Sequence, residues 1–380
     1  LSSYHISEFV ERREQLLQEI LEGLDAHSGA ALALIYMRNG QLKSPVTLQP
    51  SEAEAIERLN SNLGGCVAAL ESMKGSLVLC SLVSGEHVWE FKHPTIGDAY
   101  AATLVKSPEH VGIYIEGSTT ERLLNQVTCG DVGIEKAVVL SNTFFPRMLT
   151  KLRDLSHSKA YKSAWLSEFG AKRELHGFLA RRCSKDFLSL YVSQNPSILE
   201  QVARPGLFLS AVSEVRLAKR LQEVGLLPEE QRKEFVDTVS KYALGGEDVS
   251  ALDDDEVRTL FTDDEFNDLV ERIELELLPR LGDVRLNMQS HYCSSTSPEE
   301  HLQPLLDVFS TLRKYFQNDH HLVRLIDDEV QLASEWVEKT ETPDSGRAPR
   351  ALGRVEAQAS PEGIRSIFDD VDASRDEEAD

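Results

Sequence analysis

The sequence predicts a mainly α chain: a small helical unit closed by a β-hairpin, then an α-helical array, then a disordered acidic tail. Three observations carry this. Apolar residues recur at helical spacing over most of the chain between Ser7 and Val337. The clearest period-two alternation is one short stretch around Val88-Trp89-Glu90-Phe91. From Thr340 onward Pro, Gly, Ser and Ala dominate, Lys vanishes, and 11 acidic residues stand against 5 basic ones, too little apolar surface to order itself.

At 380 residues the chain is long enough for two or three domains. Its 41% hydrophobic and 27% charged content is ordinary for a globular protein. No apolar run reaches the ~18 residues of a membrane span, so no membrane partner is expected and the expected location is the cytoplasm. The opening Leu1-Ser2-Ser3-Tyr4-His5 has no basic and apolar signal regions and no Met, so entry in mid-chain is the expectation. The net charge of −23 repels nucleic-acid backbone and argues against that partner. Five cysteines, an odd number without a C-x-x-C pair, read as free and mostly buried thiols.

Ser7 to Leu24 carries an amphipathic stripe of Phe9, Leu16, Leu17, Ile20, Leu21 and Leu24, with Ser7 as cap. A second helix runs from about Ser28 to Met37 and stops at Asn39-Gly40. A third covers Ser51 to Leu59, with Ser51 and Glu54 spaced as a capping box. A fourth covers Leu63 to Met73. Leu77 to Leu82 then reads as a strand, Ser84-Gly85 as the turn, and the Trp89 stretch as the returning strand. Pro94 fits a first helical turn, and Ile96, Ala99, Tyr100 and Leu104 follow at helical spacing. Helices followed by a two-stranded wing describe a winged helix. His93 lies at the strand-to-helix junction, a helix N-terminus that favours negative charge, phosphate included. The plain alternative is a partly buried His that caps and packs the hairpin.

Short helices are expected from Ser107 toward Tyr114 and from Ser118 through Val127, a strand at Lys136 to Ser141, and a helix at Thr143 to Leu155. The rest reads as antiparallel helical hairpins: Lys159–Glu168, Lys172–Cys183, Lys185–Val192, Asn195–Gln201, Ser210–Val224, Pro228–Tyr242, Glu247–Ala251, Asp254–Phe261, Thr262–Leu278, Leu281–His291, Pro298–Phe316 and His321–Glu338. In the tail, Ile364, Ile367, Phe368 and Val371 form an i, i+3, i+4, i+7 stripe, a short helix able to dock on a partner or exist transiently.

The acidic runs Asp253–Glu256 and Asp263–Glu265 lack the alternation and the Gly of a calcium loop. They read as caps, Thr262 with Glu265 as a capping box and Asp253 on its own helix. His291 and Cys293 have no neighbours in sequence to complete a zinc site. No metal and no catalytic residue is expected.

The segment Phe91-Lys92-His93-Pro94-Thr95-Ile96, followed by Asp98-Ala99-Tyr100-Ala101, resembles the end of the winged-helix domain in STAND-type P-loop NTPases. Val224-Gly225-Leu226-Leu227-Pro228, Arg258 to Phe266, Glu276-Leu277-Leu278-Pro279 and the tail peptide Ser366 to Val371 are similar to the region downstream in the bacterial novel STAND class. The resemblance implies that His93, standing just before the last winged-helix helix, touches the β-phosphate of ADP held by an upstream P-loop domain. It also implies a division into the end of an upstream helical lid (1–26), a winged-helix domain (27–130), a linker (131–158), a helical sensor and interaction domain (159–339) and a tail (340–380) with a short helix at 363–371.

The chain has no G-x-x-x-x-G-K-[ST] and no G-x-G-x-x-G. ATPase activity is therefore not carried over, and ATP or ADP belongs to the full-length relative. The expected function is the regulatory and sensor portion of a signalling NTPase. Its partners are the P-loop domain, in cis or in trans, and a protein trigger or further copies of itself, in bacteria as part of defence against phage. A winged-helix DNA-binding regulator and a helical scaffold without a nucleotide are the rivals.

Overall fold

The computed structural model describes residues 15–155 and 165–341; Ser7, residues 159–164 and the Ile364, Ile367, Phe368 and Val371 stripe lie outside them. The chain is mainly helical. It divides into one compact unit through Ala333 and a second from Ser334. The boundary expected at 158/159 lies outside the described residues.

A helix α1, described over residues 15–22, precedes α2 (Ala26–Met37), which Asp25 caps by accepting from the His27 and Ser28 amides. The sequence of α2 is apolar all round, so the helix is buried all round, from Ala30 through Met37. Chain reversal at Asn39 and Gly40, both at positive φ, leads into a strand absent from the sequence-based expectation, β1 (Gln41–Ser44). Then come α3 (Pro50–Arg58), α4 (Leu63–Met73) and the hairpin of β2 (Val78–Val83) and β3 (Glu86–Phe91). Ser84 (φ 50) and Gly85 (φ 85) supply the two left-handed residues of its turn. The strands form one antiparallel sheet in the order β1-β3-β2, with Trp89 opposite Leu42 on one side and Cys80 on the other. Leu32, Ile35, Leu42, Ile56, Leu70, Trp89 and Ile96 share one core.

Four local details differ from the expectation, two of them caps. Helix α3 starts at Pro50, so its reciprocal box uses Gln49 and Glu52 (Gln49 N to Glu52 Oε2, 2.7 Å) rather than Ser51 and Glu54. Asp254, not Asp253, caps the short helix after it; Asp253 instead lies 3.6 Å from Lys314 Nζ. The helix expected at Glu247–Ala251 is a 3₁₀ turn over Ser250–Leu252. There the buried Asp248 carboxylate accepts from the amides of Ser250 (2.8 Å) and Leu209 (2.7 Å) and so competes with helix formation. The helix expected over Thr262–Leu278 is α-helical only to Arg272 and continues as a π-turn over Ile273–Leu277, because Pro279 can neither donate to nor fit against the preceding turn.

After the hairpin come α5 (Pro94–Leu104), α6 (Pro108–Gly117) and α7 (Thr120–Gln126). Next, β4 (Val127–Cys129) pairs in parallel with β5 (Val138–Leu140). Helix α8 (Phe145–Leu155) follows, then α9 (Trp165–Arg182), one continuous helix through Gly170 where two had been expected. Cys183, just past α9, bridges Cys129, and Ser184 N donates to Cys129 O at 2.8 Å.

The array continues as α10 (Lys185–Gln194), α11 (Ser197–Ala203), α12 (Ser213–Glu223), α13 (Glu229–Gly245), α14 (Asp255–Arg258), α15 (Asp263–Arg272), α16 (Leu281–Ser290), α17 (Pro298–Tyr315) and α18 (His320–Glu341). Helix α12 lies against α9, and α11 against both α12 and α13. Phe187, Leu217, Phe235, Val239, Leu277 and Phe309 are fully buried among these helices. In the second unit, Thr340 Oγ1 donates to Trp336 O at 2.7 Å, and Lys339 pairs with Glu335 at 3.5 Å.

Candidate functional site

The hairpin fixes the position of His93. Trp89 is buried with Lys74 Nζ 5.6 Å from its ring centroid, so the end of β3 is anchored. Lys92 N donates to Leu77 O at 2.9 Å, which carries the strand pairing to the residue before His93. His93 itself is extended (φ −145, ψ 143) and is the N-cap of α5, with Pro94 at the first helical position. Its Nδ1 accepts from the Thr95 amide (3.2 Å) and meets Thr95 Oγ1 at 2.9 Å. A ring that accepts at Nδ1 carries its neutral-form proton on Nε2. The imidazole is exposed at the start of the helix, while the Thr95 amide is taken by its Nδ1 and the Ile96 amide by its backbone carbonyl.

The other singled-out groups are separate from this corner. Thr262 and Glu265 make the reciprocal capping box on α15 (3.2 and 2.9 Å). Cys293 Sγ meets Ser295 Oγ at 2.9 Å and His291 Nδ1 meets Asn287 O at 2.8 Å; both residues are exposed. Of the five cysteines, Cys66, Cys129 and Cys183 are buried, Cys80 is half-buried, and all are free thiols. Among the described residues, no group of three or more His, Cys, Asp or Glu side chains is placed to hold a metal ion. Among them also, no helix is long and apolar enough to cross a membrane.

One charged group escaped sequence reasoning. Arg122 on α7 is only 7% exposed. Its guanidinium lies over the Tyr36 ring, 5.5 Å from the centroid, and its Nε and Nη1 have no hydrogen-bond partner. Burial pushes this guanidinium down from its ordinary pKa, against the opposing pull of the Tyr114 and Tyr36 phenols. Tyr36, Tyr100 and Tyr114 stack beside it, with Tyr36 5.1 Å from Tyr100 and 5.4 Å from Tyr114. Arg122 lines an open cleft of ≈ 350 Å³ with Tyr36, Phe91, Asn125, Ile134 and Arg182. An amphipathic helix of sequence Thr-Glu-Arg-Leu-Leu-Asn-Gln places Arg on what reads as a polar face, and only the tertiary approach of α2 and α6 buries it.

Comparison of the chain with protein-family models, with curated proteins and with solved structures gives no match.

Proposed function

We propose that this chain is the regulatory and sensor portion of a STAND-type signalling NTPase. Residues 27–130 act as its winged-helix domain, and the helical array from α9 onward recognises a protein trigger. The observation that carries the reading is the exposed imidazole of His93 at the start of α5, with its Nδ1 engaged by the Thr95 amide. The ring's other nitrogen, at the positive end of a helix, suits a phosphate oxygen offered by a docked P-loop domain. The element order from α2 to α5, with its three-stranded sheet, supports a winged helix.

Duplex DNA as the partner is disfavoured by the surface of α4, the helix that would enter a groove. Its exposed positions include Leu63, Val67 and Glu71, with Lys74 as the adjoining cation. Leu82 at the tip of the hairpin is 67% exposed, a feature of protein docking rather than of a phosphate-contacting wing.

The test is recovery of the chain from its own cells under ATP and under ADP, with bound partners identified by mass spectrometry and bound nucleotide by chromatography. The expected result is a P-loop NTPase partner retained with ADP, and loss of that nucleotide in His93→Ala. Recovery of partners without a P-loop, or nucleotide content unchanged in His93→Ala, would sink the proposal.

A further inference from the structure

We propose that the cleft between α5, α7 and residues 134–137 binds a small molecule carrying an oxyanion, a carboxylate or a phosphate, with Arg122 and Arg182 as its counter-charges. This site does not depend on the nucleotide reading of His93.

A cation with no anion to match it lines the cleft. Among the described residues no carboxylate pairs with Arg122, although the whole chain carries a charge of −23. A buried guanidinium with two unpaired nitrogens is costly. The Tyr36 ring beneath it, 5.5 Å away, offsets only a part of that. An oxyanion brought to the guanidinium supplies the missing counter-charge, and a planar guanidinium suits the two oxygens of a carboxylate or phosphate.

A second cation converges on the same space from a distant part of the chain. Arg182, in the last turn of α9, lines the cleft and donates from Nη1 to Val127 O at 3.3 Å. Burial and the neighbouring Arg181 charge push Arg182 below its ordinary pKa, so it too gains from an anion. The acids near the rim do not neutralise the pair. Asp98 is engaged by Lys136 Nζ at 2.7 Å, and Glu135 is exposed.

The remaining lining suits the body of a ligand. Phe91 and Ile134 offer apolar contact and Asn125 offers a polar one. A cleft of ≈ 350 Å³ is within the range of small-molecule sites.

The test is isothermal titration calorimetry of the full chain at low ionic strength with two probes, inorganic pyrophosphate and benzoate. At least one is expected to bind with a Kd below about 1 mM, and the stronger probe assigns phosphate or carboxylate as the recognised group. Arg122→Gln is expected to weaken that binding about tenfold or more. Arg182→Gln, at a half-buried position on the rim, is expected to weaken it several-fold and serves where Arg122→Gln fails to fold. Failure of both probes to bind wild type at about 10 mM would overturn the proposal, as would equal binding by wild type and by folded Arg122→Gln or Arg182→Gln.

Discussion

Removing the Glu265 charge with Glu265→Gln tests how the middle of the helical array is held. Arg232, 4% exposed, gathers Glu229, Glu265 and the Leu260 carbonyl around one guanidinium. Its Nη1 reaches Glu265 Oε2 at 2.7 Å and its Nη2 reaches Glu265 Oε1 at 2.8 Å, a two-toothed contact. Glu265 also closes the cap of α15 by accepting from Thr262 N at 2.9 Å. The Arg232 hydrogen bonds, with the Thr262 ones, hold the Glu265 carboxyl down from 4.5 to about 2. A fall of about 2.5 pH units at about 1.4 kcal/mol each gives a ceiling of roughly 3.5 kcal/mol.

Solvent screening lowers that figure, since the Glu265 side chain is a quarter exposed (26%). Somewhat under half, ~1.5 kcal/mol, is the expected cost of Glu265→Gln at pH 7. The folded pKa lies below the unfolded one, so this contribution is complete above pH 4.5 and disappears as pH falls toward 2. Urea unfolding followed by far-ultraviolet circular dichroism at pH 7, 4.5 and 3 measures the gap between wild type and Glu265→Gln. A gap that stays constant from pH 7 to pH 3, or one under about 0.3 kcal/mol at pH 7, would refute the reasoning.

Two further outcomes follow from local geometry. Gly246→Ala is expected to cost more than about 2 kcal/mol and Gly225→Ala about 1 kcal/mol in urea unfolding. Both sit at φ near +70, but a Cβ on Gly246 would lie 2.9 Å from Val284 Cγ1, whereas one on Gly225 meets open space. His176 is buried, and burial brings its pKa from 6.5 down to about 4, with Glu214 opposing and Lys172 adding to the effect. The folded state thus favours the neutral ring: its stability contribution is present above pH 6.5 and is lost as pH falls through 4. Thermal melts at pH 7 and pH 5 should show a smaller drop for His176→Gln than for wild type, and equal drops would count against this origin of acid sensitivity.

The helices were legible because their signals are local. Caps such as Ser107, Ser184, Thr262 and Ser297, and proline starts at Pro94, Pro108 and Pro298, stand in the sequence where the helices begin. The hairpin was legible for the same reason. What stayed hidden depends on contacts between distant segments. Strand β1 has four residues and one buried side chain, Leu42, and becomes a strand by pairing with β3 more than forty residues on. The three-residue strands β4 and β5 are too short to show a period. His93 was legible as a helix cap from Pro94 alone, whereas Arg122 was not, because its burial is made by Tyr36 and Tyr114 on two other helices.

The small ladder at Cys129 has a mechanical consequence. Cys129 is held by Leu140 on one side, through Gly130 N, and by Ser184 N on the other. Helix α9 is therefore clasped at its C-terminal end to the strand that leaves α7. The end of α9 and the strand after α7, more than fifty residues apart in sequence, are thus tied by backbone bonds rather than by side chains alone.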